Sequence, residues 1–384
     1  MPKMFSNIDS ILVIKLRHIG DVLLTVPVFR ALKETFPGAR VSALVNAGTG
    51  DVLKGSPFVD EIIVVDRKIK LLSAGARLSM ELRFLKSISK KGFDMTVDLT
   101  GGDRAAVLSF VSGAKYRIGP KFKKGFWGKR RLYTHLATPD RLSHTVLQNL
   151  SIVNQFGIDT DDQSVDFHPC DEDRDFIRKL FAKSGIKRGA AIVHVHPTSR
   201  WLFKCWKDEY MAEIIRWLLD KGIVVAITSS PDKREMEKAG STLNLIGSRD
   251  GLVDLRGTTT IQQLGALSEA SKLFFGVDSA PMHIAAAVGT PVVALFGPSG
   301  AFHWGPWDNR LAQFKAKMAV SGTPYSRRNG VQSFGVNAVI QRDWACIPCG
   351  KDGCAGSKQS KCLDDIRPSE IKALIEERLK EGDK

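Results

Sequence analysis

Leu273-Phe274-Phe275-Gly276-Val277-Asp278-Ser279-Ala280-Pro281-Met282-His283-Ile284-Ala285-Ala286-Ala287-Val288-Gly289-Thr290-Pro291-Val292-Val293-Ala294-Leu295-Phe296-Gly297-Pro298 decides the fold of this chain. Leu273 to Val277 is a short apolar run suited to a buried strand, and Pro281 to Val288 is Ala-rich and preceded by cap-type residues. The spacing predicts strand, turn, helix, strand, which is half of a parallel α/β unit. Proline is favoured at the first helical position, and Asp278 or Ser279 can cap the helix. The turn therefore aims unpaired backbone N–H groups at the space beyond the strand's carboxyl end. The small side chains of Ala280, Ala285 and Ala286 let a ligand approach the backbone, and the helix dipole favours a phosphate or diphosphate there. An ordinary βα turn capped by Asp-Ser fits the same pattern, so the turn alone does not specify a function.

The alternation continues on both sides of this stretch. Towards the amino terminus, strands are expected at Ile11 to Leu16, Val41 to Val45, Glu61 to Asp66 and Phe93 to Leu99, with helices at Val22 to Phe36, Arg77 to Ile88 and Asp103 to Val111. Between the first strand and its helix lies Arg17-His18-Ile19-Gly20-Asp21, where Gly20 permits a tight turn and Asp21 lands at the helix start. That is where open α/β sheets place functional groups, although a plain N-cap is the other reading of Asp21. Thr100-Gly101-Gly102-Asp103-Arg104 repeats the arrangement, and Arg104 can hold an acidic acceptor group or join a surface capping network. His144 opens an amphipathic helix. Asp159 to Asp173 is acidic and turn-rich and reads as a linker followed by helix capping rather than as metal-binding carboxylates. The alternation restarts with strands at Ala190 to His196 and Ile223 to Thr228, and the turn from Pro197 to Trp206 places Arg200 and Lys204 where they can converge on a phosphate.

The composition, 43% hydrophobic and 25% charged over 384 residues, is globular and sized for two domains. No run of about eighteen apolar residues occurs, and Met1 to Ser10 is too polar for a signal peptide, so a cytoplasmic protein is expected. A formal charge of +15 implies anionic partners. Its densest cluster, Lys121-Phe122-Lys123-Lys124-Gly125-Phe126-Trp127-Gly128-Lys129-Arg130-Arg131, interleaves aromatics with cations, which suits headgroups or an amphiphile better than a merely solvated loop. A basic, non-catalytic nucleic-acid-binding protein is the rival class, but no recognisable nucleic-acid module is present. The absence of Gly-x-Gly-x-x-Gly after a strand argues against a dinucleotide oxidoreductase. Cys346, Cys349, Cys354 and Cys362 leave a structural zinc, free thiols or bonds formed on isolation open, with zinc not favoured. Cys170 and Cys205 default to small buried hydrophobes.

Asp278 to Ala287, followed by Gly289 to Pro298, closely resembles the donor-site motif of the family 9 glycosyltransferases, the ADP-heptose:lipopolysaccharide heptosyltransferases. Lys15-Leu16-Arg17-His18-Ile19-Gly20-Asp21-Val22-Leu23-Leu24-Thr25-Val26-Pro27 is similar to the amino-terminal signature of that family, and Lys204 and Trp206 match its Lys-x-Trp turn. The loop Gly297-Pro298 to Trp304-Gly305-Pro306-Trp307 and the Cys-rich stretch also resemble family members.

The resemblance implies a GT-B architecture: two Rossmann-like, doubly wound domains facing across a cleft. It divides the chain into an acceptor-binding domain over 1–168, a nucleotide-sugar domain over 169–365, and a terminal helix over 366–384 packing back on the first domain. The implied reaction is inverting transfer of heptose from ADP-heptose to a heptose or Kdo of the lipopolysaccharide inner core, without a catalytic metal. A transferase or epimerase using another nucleotide sugar is the alternative within enzymes. Asp21 is implied as the general base, a role that suits a carboxylate near an acceptor hydroxyl. Lys204, Arg200, Asp278, Ser279, Ala280 and His283 are implied for the donor, and Arg104, His144, Lys123 and Lys124 are the candidates for the acceptor. The basic cluster is expected to meet the phosphorylated acceptor and the anionic inner leaflet, making the protein peripheral on the inner face of the inner membrane.

Overall fold

The computed structural model describes residues 4–66, 73–121, 125–313, 324–327 and 330–381. Lys123 and Lys124 lie outside the described residues. Two compact units divide the chain, Met1–Val165 and Asp166–Lys384.

The first unit runs β1 (Ser10–Lys15), α1 (Ile19–Leu23), α2 (Val26–Thr35), β2 (Arg40–Asn46), β3 (Glu61–Val65), α3 (Ala74–Ser89), β4 (Met95–Asp98), α4 (Asp103–Val111), β5 (Tyr116–Pro120), β6 (His135–Ala137) and α5 (Thr145–Asn154). Its six strands are all parallel, in the order β3-β2-β1-β4-β5-β6. Central strands of such sheets are covered on both faces, which is why β1 reads as an unbroken apolar run. The single helix expected over 22–36 is in fact two. Pro27 has no N–H to offer the Leu23 carbonyl, and the Thr25 hydroxyl donates to the Val22 carbonyl at 2.6 Å, so α1 closes and α2 restarts. Gly20 lies inside α1 and takes no left-handed turn.

The second unit runs α6 (Asp171–Lys183), β7 (Ile192–His196), α7 (Asp208–Asp220), β8 (Val224–Ser229), α8 (Lys233–Ile246), β9 (Leu252–Arg256), α9 (Ile261–Glu269), β10 (Leu273–Val277), α10 (Ala280–Ala287), β11 (Val292–Leu295), α11 (Ala301–Trp304), α12 (Asn309–Ala312), β12 (Val331–Phe334), β13 (Asn337–Ile340), α13 (Lys361–Asp364) and α14 (Pro368–Glu381). The sheet order is β12-β13-β11-β10-β7-β8-β9, parallel except for the β12–β13 hairpin. Val193, Val195, Phe275 and Leu295 of the sheet form one core with Ile214 and Leu218 of α7 and with Ile371, Leu374 and Ile375 of α14. Sequence reasoning sets 366–384 apart as a helix returning to the first domain. The correction is that its apolar face is buried in the second unit's own core, with Lys372 bonded to Glu213 of α7 at 2.7 Å.

The acidic stretch behaves as a boundary. Asp162 takes the Arg30 guanidinium at 3.4 Å, the division falls after Val165, and Asp171, Glu172 and Asp173 occupy the first turn of α6, where the helix dipole favours carboxylates. Cys170 precedes that turn and is exposed, against the expectation of burial, whereas Cys205 is buried.

Candidate active site

Each sheet has one place where successive strands set off in opposite directions, between β1 and β4 in the first unit and between β7 and β10 in the second. The loops after those strands diverge and leave a crevice at the carboxyl edge, which is where open α/β sheets bind ligands. Both motifs singled out in the sequence lie at these points. Asp21 follows β1 and the Thr100–Arg104 turn follows β4; Lys204 follows β7 and Asp278 follows β10.

In the second unit Lys204 ends a short 3-10 turn, Leu202–Lys204, and its Nζ donates to Asp278 Oδ2 at 2.6 Å. The pair is well covered, with side-chain exposures of 21% and 7%. Ser299, from the loop after β11, donates its hydroxyl to the same carboxylate oxygen. Asp278 is thus an ion-pair partner and not the helix cap expected of it. Ser279 holds the N-cap position of α10, but its hydroxyl turns back to the Val277 carbonyl at 3.2 Å and makes no side-chain cap. The backbone N–H groups of the first turn of α10, beginning at Ala280, carry the positive end of its dipole, two residues on from the carboxylate that holds the Lys204 ammonium. His283 is buried within α10. Arg200 is exposed, and its guanidinium lies 5.6 Å from the Trp201 ring centre, so the two cations of this turn have separate partners.

The turn carrying Lys204 is anchored from behind. Trp206 is buried, and its indole N–H donates to the Leu363 carbonyl at 3.1 Å, while Ser360 donates to the Phe203 carbonyl at 2.5 Å. Gln341 likewise donates to the carbonyls of Gly297 and Ser299 at 2.8 and 2.6 Å, fixing the loop that brings Ser299 to Asp278. Gly276 admits no side chain, because a Cβ there would stand 2.6 Å from the His196 carbonyl oxygen.

Beside this site runs a buried polar chain that sequence reasoning missed. Ser268, His194, Thr228 and His196 are linked by contacts of 2.8 Å, and Thr198 donates to Glu235, which also accepts from Ser230 at 2.7 Å. Burial drives both imidazoles far below their ordinary value, His196 to about 3, so both rings are neutral. Their signal in the sequence was two histidines at alternate positions of an apolar strand.

In the first unit His18 takes the N-cap position of α1, and Asp21, at the third helical position, accepts the His18 backbone N–H at 3.4 Å. Asp21 is therefore not the plain N-cap. Beneath it Lys15 is buried, its Nζ donating to the Leu99 carbonyl at 3.1 Å and to Asn149 Oδ1 at 3.0 Å. Burial lowers this ammonium to about 8, while Asp21 and Asp98 act in the other direction. The facing turn is built on Asp98, whose carboxylate accepts the Thr100 and Gly101 N–H groups at 2.7 and 3.0 Å and the Tyr133 hydroxyl at 2.5 Å. Burial nevertheless raises its carboxyl above the usual range. Gly101 has φ 68°, the one place in this turn that needs glycine. A lysine closing an apolar strand was the available clue to Lys15; nothing local announced Asp98 or Tyr133.

The acceptor candidates fare less evenly. Arg104 Nη2 donates to both oxygens of Glu81 on α3 at 2.9 Å, so its charge is already answered. His144 is 1% exposed and caps α5, its Nδ1 accepting the Val146 N–H at 3.3 Å. This corrects its reading as a direct contact, since a ring closed over its own helix end presents no face to a sugar. Among the described residues no group of three or more His, Cys, Asp or Glu side chains is arranged to hold a metal ion. Cys346, Cys349, Cys354 and Cys362 are free thiols, and burial, followed by the neighbouring Cys354, pushes Cys362 up to about 11.

The sequence profile of glycosyltransferase family 9 (heptosyltransferase) matches residues 81–324. Lipopolysaccharide heptosyltransferase 3 of Escherichia coli is 32% identical over 309 residues, covering 78% of this chain and 87% of that protein. The crystal structure of a family 9 glycosyl transferase from Veillonella parvula superimposes with a TM-score of 0.76 at 20% identity, over 97% of both chains. The E. coli heptosyltransferase WaaC with ADP does so with a TM-score of 0.69 at 19% identity, over 96% of this chain and 99% of that one. At such identities the structural likeness shows the fold alone.

Proposed function

Because the chain belongs to glycosyltransferase family 9 and has the GT-B fold of that family's structures, we propose that it transfers heptose from ADP-heptose to the lipopolysaccharide core. The observation that carries the reading is the Lys204–Asp278 pair at the first turn of α10. A diphosphate entering there meets aligned backbone N–H groups and an ammonium within reach. As the sugar leaves, charge builds on the diphosphate, and these groups stabilise it where a divalent cation would otherwise serve. Ser279, Ala280 and His283 belong to the same donor turn, with Arg200 at its outer side.

Asp21 acts as the base that takes the acceptor proton, with Lys15 supporting it from below through charge. Lys123 and Lys124 provide cationic recognition of a phosphorylated acceptor, while Arg104, paired with Glu81, holds the turn after β4 in place and His144 shapes the site as a helix cap. The acceptor is a membrane glycolipid, and the protein works as a peripheral enzyme at the anionic inner leaflet. Among the described residues no helix is long and apolar enough to cross a membrane. Calorimetric titration with ADP-heptose, ADP, UDP and GDP, paired with transfer to core acceptors, tests the reading. Tighter binding of UDP or GDP than of ADP, or no transfer to any heptose- or Kdo-bearing acceptor, overturns it.

A further inference from the structure

The first half of α3 carries an apolar stripe that none of the described residues covers. Leu78 and Leu82 are 61% and 57% exposed, and with Gly75, Ser79, Arg83 and Lys86 they line a shallow groove along the helix. Positions 75, 78, 79, 82 and 86 fall on one face, about 130° around the axis from the face on which Phe84, Leu85 and Ile88 meet the core. One exposed leucine is ordinary, but two in register on a bare helical face are not.

A second apolar feature lies close by. Trp127 is 88% exposed and Phe126 is 44% exposed, and the Arg131 guanidinium lies 5.3 Å from the Trp127 ring centre. The first turn of α4 holds both features. Asp103 takes the Lys129 ammonium at the root of the Trp127 loop at 3.1 Å, and Arg104 takes Glu81 of α3 at 2.9 Å.

Charge selects the occupant. Arg83, Lys86 and Lys90 stand beside the stripe and Arg130 and Arg131 beside Trp127, all exposed, while the acidic Glu81 is already paired. Two such basic faces repel each other, which disfavours a second copy of this chain as the occupant. Leucines flanked by long cations, next to an exposed tryptophan, match the boundary layer of an anionic bilayer, where apolar groups sink and cations meet headgroup phosphates. We propose that the outer face of α3 and the Phe126–Trp127 loop form one docking surface that seats the first unit on an anionic phospholipid bilayer. The inference rests on the reading of the acceptor as a membrane glycolipid, and it deepens that reading by naming the surface.

The test is co-sedimentation of the full chain with vesicles of phosphatidylcholine alone and of phosphatidylcholine mixed with phosphatidylglycerol. The wild-type protein partitions to the mixed vesicles, with an affinity that falls as salt rises. Leu78→Ser/Leu82→Ser weakens partitioning by at least roughly tenfold. Arg83→Glu/Lys86→Glu weakens it by roughly fivefold or more per cation removed. Both variants keep the parent's melting temperature, since all four side chains are exposed, and both keep kcat on a deacylated, water-soluble acceptor while losing rate on the same acceptor embedded in vesicles. Equal binding to both vesicle types, no binding, or unchanged binding by Leu78→Ser/Leu82→Ser overturns the proposal. So does a dimer that this variant dissociates while vesicle binding is untouched. Vesicle binding without any heptose transfer would leave the docking surface standing and remove the proposed reaction; transfer without vesicle binding would do the reverse.

Discussion

Replacing Lys204 by methionine separates the two things its ammonium does. In the unliganded protein it neutralises Asp278, whose side chain is 7% exposed and otherwise accepts only from Ser299 among the bonds described above. A covered carboxylate stripped of its cation costs about 1 to 3 kcal/mol, less than the 3 to 5 typical of a fully buried pair because Lys204 is partly open to water. For a unit of this size each kcal/mol moves Tm by roughly 2 to 4 °C, so Lys204→Met should melt roughly 2 to 12 °C early. In the liganded protein the same ammonium donates to phosphate, a charge-assisted bond contributing about 1.5 to 3 kcal/mol, or roughly a 10- to 150-fold change in the ADP dissociation constant. The orphaned Asp278 then repels the diphosphate, which adds to the loss. Asp278→Asn in the Lys204→Met background removes that repulsion: the double variant should recover most of the melting temperature and only part of the affinity. Calorimetric titration with ADP and thermal unfolding of the parent and the two variants measure both quantities. An ADP dissociation constant for Lys204→Met within about threefold of the parent would refute the donor role, whatever happened to stability.

Asp21→Asn should fold normally, because the amide oxygen can still accept the His18 N–H, yet lose about 10² to 10⁴-fold in kcat with the donor KM nearly unchanged; turnover within a few-fold of the parent ends its role as base. If Lys204 and the α10 amides do the work of a cation, transfer should persist in EDTA, and activity lost to EDTA and restored by Mg²⁺ or Mn²⁺ would contradict that. His194 and His196 are buried neutral, so below the ordinary value of 6.5 the unfolded chain binds protons that the folded chain does not. Stability contributed by the two rings is full above about pH 6.5 and is lost as pH falls, for His196 towards about 3 with about 2 kcal/mol gone near pH 5, and His194 adds a loss in the same direction. Urea unfolding of the second unit with the same midpoint at about pH 7 and about pH 5 would show that the rings are not held neutral.

The sequence by itself determined the alternation of strand and helix, because buried parallel strands must be apolar on both faces and their runs show at once, as in Ile11 to Leu16 and Leu273 to Val277. It also marked Asp21, Lys204 and Asp278 as candidates, because each stands in a turn directly after a strand and in a stretch that resembles a motif of family 9. Short β6 and the β12–β13 hairpin escaped because three or four residues carry too little period to read. Only the tertiary structure decided what those site residues touch. Asp278 or Ser279 could cap α10, and Asp278 is a counter-ion; His144 was a candidate contact and is a cap; Arg104 could hold an acceptor group or join a surface network, and it is held by Glu81. The Lys204–Asp278 pair joins residues 74 positions apart, and Lys15 reaches Asn149 across 134, through a strand order that no local pattern encodes. Periodicity reports which face of an element is buried, but the partner buried against it depends on how the strands are ordered, and that order is fixed by the packing of the whole unit.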